Sequence, residues 1–165
     1  MLKYSEKLPF GLELIGDSMV KKTSRFNRES SLHQMKRIVN HFIHNPDPLV
    51  VPVYEWFDDC KKSSNYYEYS YTMKRLFILS QEEKAIIDCS YYFYKELNLP
   101  SKYSVNIIEQ AQINHPELIK FCKQVITENR YWDFHMGNVL KDELGDYKLI
   151  DLEGFARDNI DWIPQ

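Results

Sequence analysis

Cysteine is scarce in this chain and follows no pattern. Cys60, Cys89 and Cys122 are odd in number, far apart and without a CxxC pair, which argues against a disulfide framework and against a structural zinc. A reducing, cytoplasmic setting fits such usage. No apolar run is long enough to cross a bilayer, and residues 1–11, broken by Lys3, Glu6 and Lys7, lack the hydrophobic segment of a signal peptide, so no membrane partner is expected. An excess of one charge is missing too. The formal net charge is −3, with acids and bases mixed along the chain, and the pairs Lys21-Lys22 and Lys61-Lys62 are too short to make the basic surface of a nucleic-acid binder. Internal repeats, Gly/Ser linkers and low-complexity tracts are also lacking.

What is present suffices for one packed unit: 165 residues, 44% of them hydrophobic. Leu12 to Ser24 reads as a hairpin, LELI and MVKKT joined through Gly16-Asp17-Ser18. A helix follows from Asn27 as N-cap, with Leu32, Met35, Ile38, Val39, Phe42 and Ile43 at helical spacing and a stop at Asn45-Pro46; Glu29, three residues before Leu32, is expected on its inward side. Strands are expected over 48–57 and 66–73, joined by the polar loop 58–65. Ser80 and Glu83 form a capping-box pattern opening a helix to about Leu97, and a second helix runs from Pro116 to about Asn129 with Cys122 on its apolar face. The twelve tyrosines, clustered at 66–71 and 91–94, suit packed strands and helix faces.

Chemistry concentrates in residues 131–155, YWDFHMGNVLKDELGDYKLIDLEGF, where Asp133 is followed five residues later by Asn138 and thirteen after that by Asp151. If Asn138 to Lys141 and Tyr147 to Asp151 pair about Leu144-Gly145, Asn138 and Asp151 stand directly opposite each other. One hairpin end then presents an amide and a carboxylate oxygen, a sensible partial cage for Mg²⁺, which keeps waters and substrate phosphates in its other positions. Asp133 is placed to hold an attacking hydroxyl.

The run D-F-H-M-G-N followed by L-I-D-L-E resembles the catalytic loop and metal-binding segment of the protein-kinase-like superfamily. Its D-x-H-x-G-N form is similar to that of aminoglycoside and choline phosphotransferases and of short phage-encoded serine/threonine kinases. The resemblance implies an α+β, bilobed kinase-like fold. A β-rich part with one helix (1–75) would hold ATP, and a reduced, mainly helical part (76–165) would carry the catalytic hairpin. It implies that Asp133 accepts the acceptor's proton and that Asn138 and Asp151 bind Mg²⁺ on the ATP phosphates. Lys21 looks like the strand lysine on the α and β phosphates and Glu29 like its helix partner. Lys22 is the alternative, since a one-residue shift exchanges strand faces. Tyr71 to Arg75, with Tyr71 and Met73, matches the hinge beside the adenine, and Phe10-Gly11 matches the tip of the phosphate-covering loop.

The sequence departs from that pattern in places with physical consequences. Where the family has G-x-G-x-F-G, Glu6 to Gly11 keeps only the third glycine, so the backbone approaches phosphates less closely. Tyr131-Trp132 replaces the usual His-Arg or His-Gly, so the catalytic loop must be supported differently. Glu153 stands where D-F-G has glycine and is expected to add a metal ligand. His135 belongs to the catalytic loop, with an expected role of bonding backbone or a carboxylate within it. Only fourteen residues follow Asp151, so the acceptor is expected to dock on an open face, or on surface supplied by a partner or second copy. The expected activity is transfer of the ATP γ-phosphoryl to a protein Ser/Thr hydroxyl. A small-molecule hydroxyl, a silent protein-binding pseudokinase and AMP transfer are the competing readings.

Overall fold

The computed structural model describes residues 11–57, 66–156 and 160–164. Phe10, with the residues before it that were expected to cover the phosphates, and Cys60 lie outside the described residues. The fold is α+β, with an antiparallel four-stranded sheet, a two-stranded sheet and four α-helices among the described residues.

Strands β1 (Leu12–Ile15) and β2 (Met19–Phe26) form the first hairpin, with Ile15 opposite Met19 and Gly16 in the left-handed region at φ 60°. Helix α1 (Glu29–His44) buries Met35, Ile38, Val39 and Phe42, the stripe that its sequence period describes. Its N-cap is Arg28, one residue later than expected.

Strand β3 (Val53–Phe57) is shorter than the apolar run from Pro48 suggests. Pro48 and Pro52 have no N–H to give a ladder, and the residues between them pair elsewhere: Leu149 donates to the Leu49 carbonyl at 2.8 Å, and Val51 to the Leu149 carbonyl at 2.9 Å. Strand β4 (Tyr67–Lys74) lies between β2 and β3 in the order β1-β2-β4-β3, so both its edges are hydrogen-bonded. Half of the 66–71 tyrosine cluster thereby becomes core: Tyr69 and Tyr71 are fully buried, and Tyr69 stacks on Phe26 at 5.5 Å and on Trp56 at 5.1 Å.

Helix α2 (Gln81–Tyr94) opens on the expected capping box, with Glu83 N donating to Ser80 Oγ at 3.1 Å and Ser80 N to Glu83 Oε1 at 3.0 Å. The same Glu83 accepts from Lys141 Nζ at 2.8 Å and Tyr147 Oη at 2.7 Å, so the cap also anchors the distal hairpin. Helix α3 (Val105–Asn114) has no counterpart in the sequence reading. Only Ile108 and Ala111 are buried on it, Val105 and Ile113 are exposed, and Ser104 makes no side-chain cap. Helix α4 (Pro116–Glu128) buries Leu118, Ile119, Phe121, Cys122 and Val125 and ends on left-handed Asn129, which delivers the chain to residue 131. No helix among the described residues is long and apolar enough to cross a membrane.

The hairpin of β5 (Val139–Lys141) and β6 (Tyr147–Leu149) is stitched on both sides to chain leaving the large sheet. Val50 bridges Leu149 on one side and Phe77 bridges Lys141 on the other. The site below is therefore held by backbone bonds to the chain just before β3 and just after β4.

Candidate functional site

The hairpin register differs from expectation by one residue. Val139 pairs with Leu149 and Lys141 with Tyr147, so the turn centres on Leu144. The cause is local: Asp142 Oδ1 accepts from the N–H groups of Leu144 and Asp146, Asp142 and Asp146 bond through their backbones, and Gly145 takes φ 86° to close a three-residue loop. Asn138 thus faces Ile150, whose N–H donates to its carbonyl at 3.1 Å, and Asp151 stands one residue beyond rather than directly opposite.

A 3₁₀ turn, Met136–Asn138, carries the loop between Asp133 and the hairpin. Asn138 is buried, and its Nδ2 donates to the Asp133 carbonyl at 2.8 Å and to Asp133 Oδ2 at 3.1 Å. Both partners are acceptors, so the amide nitrogen must face them and its carbonyl oxygen must face away. His135 Nδ1 accepts from Gly137 N–H at 3.0 Å, and its Nε2 lies 3.7 Å from Asp133 Oδ1. Both contacts of His135 lie within the loop itself. Asp88 on α2 supports the same turn, accepting from Met136 N at 3.0 Å and Tyr103 Oη at 3.2 Å.

Tyr131 and Trp132 tie the start of this loop to the segment after β6. Tyr131 Oη donates to the Asp151 carbonyl at 2.7 Å, Trp132 N to the Gly154 carbonyl at 2.9 Å and Trp132 Nε1 to the Glu153 carbonyl at 3.3 Å. Gly154 is needed under the Tyr131 ring, because a Cβ there would lie 2.2 Å from the ring carbons. Burial raises the Tyr131 phenol well above its usual range, as do the Asp151 and Asp133 charges, so it stays a neutral donor.

Asp151 caps the second 3₁₀ turn (Leu152–Phe155), its Oδ1 accepting from Glu153 N at 3.2 Å. The same oxygen accepts from Lys22 Nζ at 2.7 Å. Lys22, not Lys21, turns toward the cluster: it shares a strand face with fully buried Val20, whereas Lys21 projects from the other face onto the Phe57 ring at 4.6 Å. Burial opposes the charge of Lys22, but Tyr71, Asp151 and Glu153 outweigh it and raise its pKa.

Several other expected residues stand elsewhere. Glu29, at the first helical position, has a side chain 58% exposed and 3.8 Å from His33 Nε2, so it does not partner either lysine. Tyr71 and Met73 are buried in inner strand β4, and the backbone donors of Lys74 and Arg75 are taken by Pro52 and Ser18 carbonyls. Residues 71–74 thus lie in an inner strand hydrogen-bonded along both edges. Gly11 has φ 86° and accepts from Thr23 N at 2.7 Å; a Cβ there would lie 2.5 Å from the Thr23 oxygen. Glu153 accepts a short hydrogen bond from Tyr69 Oη, and its carboxylate lies 3.8 Å from Lys22 Nζ. Tyr69 was missed by sequence reasoning, because its neighbours alone mark it as a strand residue.

Two cavities flank these groups. One of about 360 Å³ is bounded by Gly11, Thr23, Arg25 and Glu153, and one of about 410 Å³ by Asp88, Tyr91, Tyr92, Tyr103, Trp132 and Asp133. A larger groove of about 660 Å³ between α3 and α4 shares no residue with the cluster and plays no part in it. Among the described residues no three His, Cys, Asp or Glu gather as a metal cage. An Asn138 oxygen and an Asp151 oxygen on neighbouring positions nevertheless fit Mg²⁺, which takes few protein ligands when phosphates supply the rest. Neither a family model nor a curated protein matches the chain.

Proposed function

We propose that the chain is an ATP- and Mg²⁺-dependent phosphotransferase on a minimal, bilobed kinase-like frame, acting on a hydroxyl. The observation that carries this reading is that two bonded pairs meet at one hairpin end: Lys22 from β2 bonds Asp151 after β6 at 2.7 Å, Asn138 bonds Asp133 at 3.1 Å, and the Asn138 carbonyl accepts from the N–H of Ile150, the neighbour of Asp151, at 3.1 Å.

Bound Mg²⁺·ATP supplies the transferable phosphoryl group and neutralises its charge. Asn138 and Asp151 would hold the metal through oxygen, and Lys22, now bonded to Asp151, would bind phosphate oxygens. Asp133, its Oδ2 fixed by Asn138, orients the acceptor hydroxyl and takes its proton. The 36% exposure of the Asp133 side chain supports access from solvent. Tyr131 keeps the Asp151 segment in register with the catalytic loop.

A protein Ser/Thr side chain is the first acceptor class. The cavity of about 410 Å³ beside Asp133 also favours a second reading, a small-molecule alcohol, because its wall of Tyr91, Tyr92, Tyr103 and Trp132 suits a compact ligand. Incubation with γ-labelled ATP and either cell extract or a panel of small alcohols tests both. Label transfer by wild type and its loss in Asp133→Asn is the expected result. Equal transfer by both removes Asp133 from the mechanism, and transfer of α-label instead indicates AMP transfer.

A further inference from the structure

Lys22 is a nearly buried cation, with a side chain 17% exposed, and a buried ammonium needs a carboxylate beside it. Its partner in this structure is Asp151. In the reading above, on which this inference rests, Asp151 turns its carboxylate to the metal, so Lys22 needs another. Helix α1 cannot supply one. Glu29 is the sole acid between residues 29 and 44, it sits in the exposed first turn beside His33, and the inward face of the helix is Met35, Ile38, Val39 and Phe42.

The second carboxylate within ion-pair range of Lys22 is that of Glu153, at 3.8 Å. It is not a loose surface acid. Tyr69 Oη bonds its Oε1, the Tyr69 ring is clamped between Phe26 and Trp56, and Trp132 Nε1 holds the Glu153 carbonyl. Tyr69 stays a neutral donor, since burial and the Glu153 charge both raise its pKa.

We propose that Glu153 is the standing counter-ion of Lys22, a positioning residue that keeps the ammonium aimed at the phosphates when Asp151 engages the metal. The lysine's partner thus comes from the turn after Asp151 and not from the helix. Tyr69 locates the carboxylate, and exposed Glu29 has no share in the task.

The test is equilibrium binding of Mg²⁺·ATP without acceptor, in a double-mutant cycle. Glu153→Gln is expected to weaken binding about tenfold and Tyr69→Phe by less, with Glu29→Gln unchanged and Glu153→Asp partly restored. In a Lys22→Met background, Glu153→Gln is expected to have no further effect. Additive losses there overturn the proposal, because a metal ligand or a merely structural acid acts independently of Lys22. A ligand-free arm separates this from the function itself: thermal midpoints of Lys22→Met, Glu153→Gln and their combination are measured in Asp151→Asn protein. Non-additive midpoints sustain the pair even if wild type binds no nucleotide. Additive midpoints overturn it even if wild type binds nucleotide well, and they serve as the deciding result should Glu153→Gln alone fold poorly.

Discussion

Lys22 and Asp151, 129 residues apart, meet at 2.7 Å on the inner side of the sheet. The pairing decides between two adjacent lysines, because strand alternation sends Lys21 to the opposite face and onto Phe57. Lys22→Met is expected to lower phosphoryl transfer by about 10²-fold, the scale of losing one preorganised charge at a reacting phosphate, and Lys21→Met to leave it nearly unchanged. Initial-rate assays on the two variants check this, and the reverse order would reassign the lysine.

Glu83 makes the acid stability of the fold readable. Burial by itself would raise its pKa, but the Lys141 ammonium, the Ser80 cap and the Tyr147 hydroxyl hold it down at about 2, below the ordinary 4.5. A depressed carboxyl contributes stability that is fully present above its unfolded value and lost as pH falls toward its folded value. Urea midpoints are therefore expected to fall between roughly pH 4.5 and pH 2, and Glu83→Gln to flatten that part of the curve. Glu83→Ala at neutral pH is expected to cost about 3 kcal/mol, because Lys141 loses its buried partner.

Much of this was legible before any coordinates. The 3.6-residue period of Met35, Ile38, Val39 and Phe42 fixed α1, and the Ser80–Glu83 pattern located the start of α2, because both signals are local. The spacing of Asp133, Asn138 and Asp151 placed the last two at one hairpin end, one register position from where they stand. What failed depended on single-residue offsets or long-range packing. The side-chain turn at Asp142 moved the hairpin register by one, and strand parity exchanged Lys21 for Lys22. Glu29 carried no mark showing that the first turn of α1 projects into solvent, and α3 lacked both a cap and a clear apolar stripe.

Trp162 ties the chain beyond Asp151 to helix α1. Its ring lies 5.6 Å from Phe155, 6.0 Å from Phe42 and 5.5 Å from His41, and the Arg130 guanidinium lies over it at 5.1 Å. Phe155 in turn packs on Tyr131 at 4.9 Å. Trp162→Ala is expected to destabilise the protein by about 3 kcal/mol, with Trp162→Phe recovering roughly half. Chemical denaturation of the two variants measures it.

Gly154→Ala forces the Tyr131 ring away, since its Cβ would overlap ring carbons at 2.2 Å. The bond from Tyr131 Oη to the Asp151 carbonyl is then lost, with an expected fall of about tenfold in Mg²⁺·ATP affinity. Tyr131→Phe removes the same bond without the overlap and is expected to show the smaller part of that effect. Calorimetric titration distinguishes them.

Titration of ATP with and without Mg²⁺, on wild type and on Asp151→Asn, tests the proposed nucleotide site most directly. Wild type is expected to bind ATP only weakly until Mg²⁺ is added, and Asp151→Asn to lose about 10²-fold of the Mg²⁺-dependent affinity. Equal affinity for ATP in all four measurements, or no binding by wild type at millimolar nucleotide, would contradict the account.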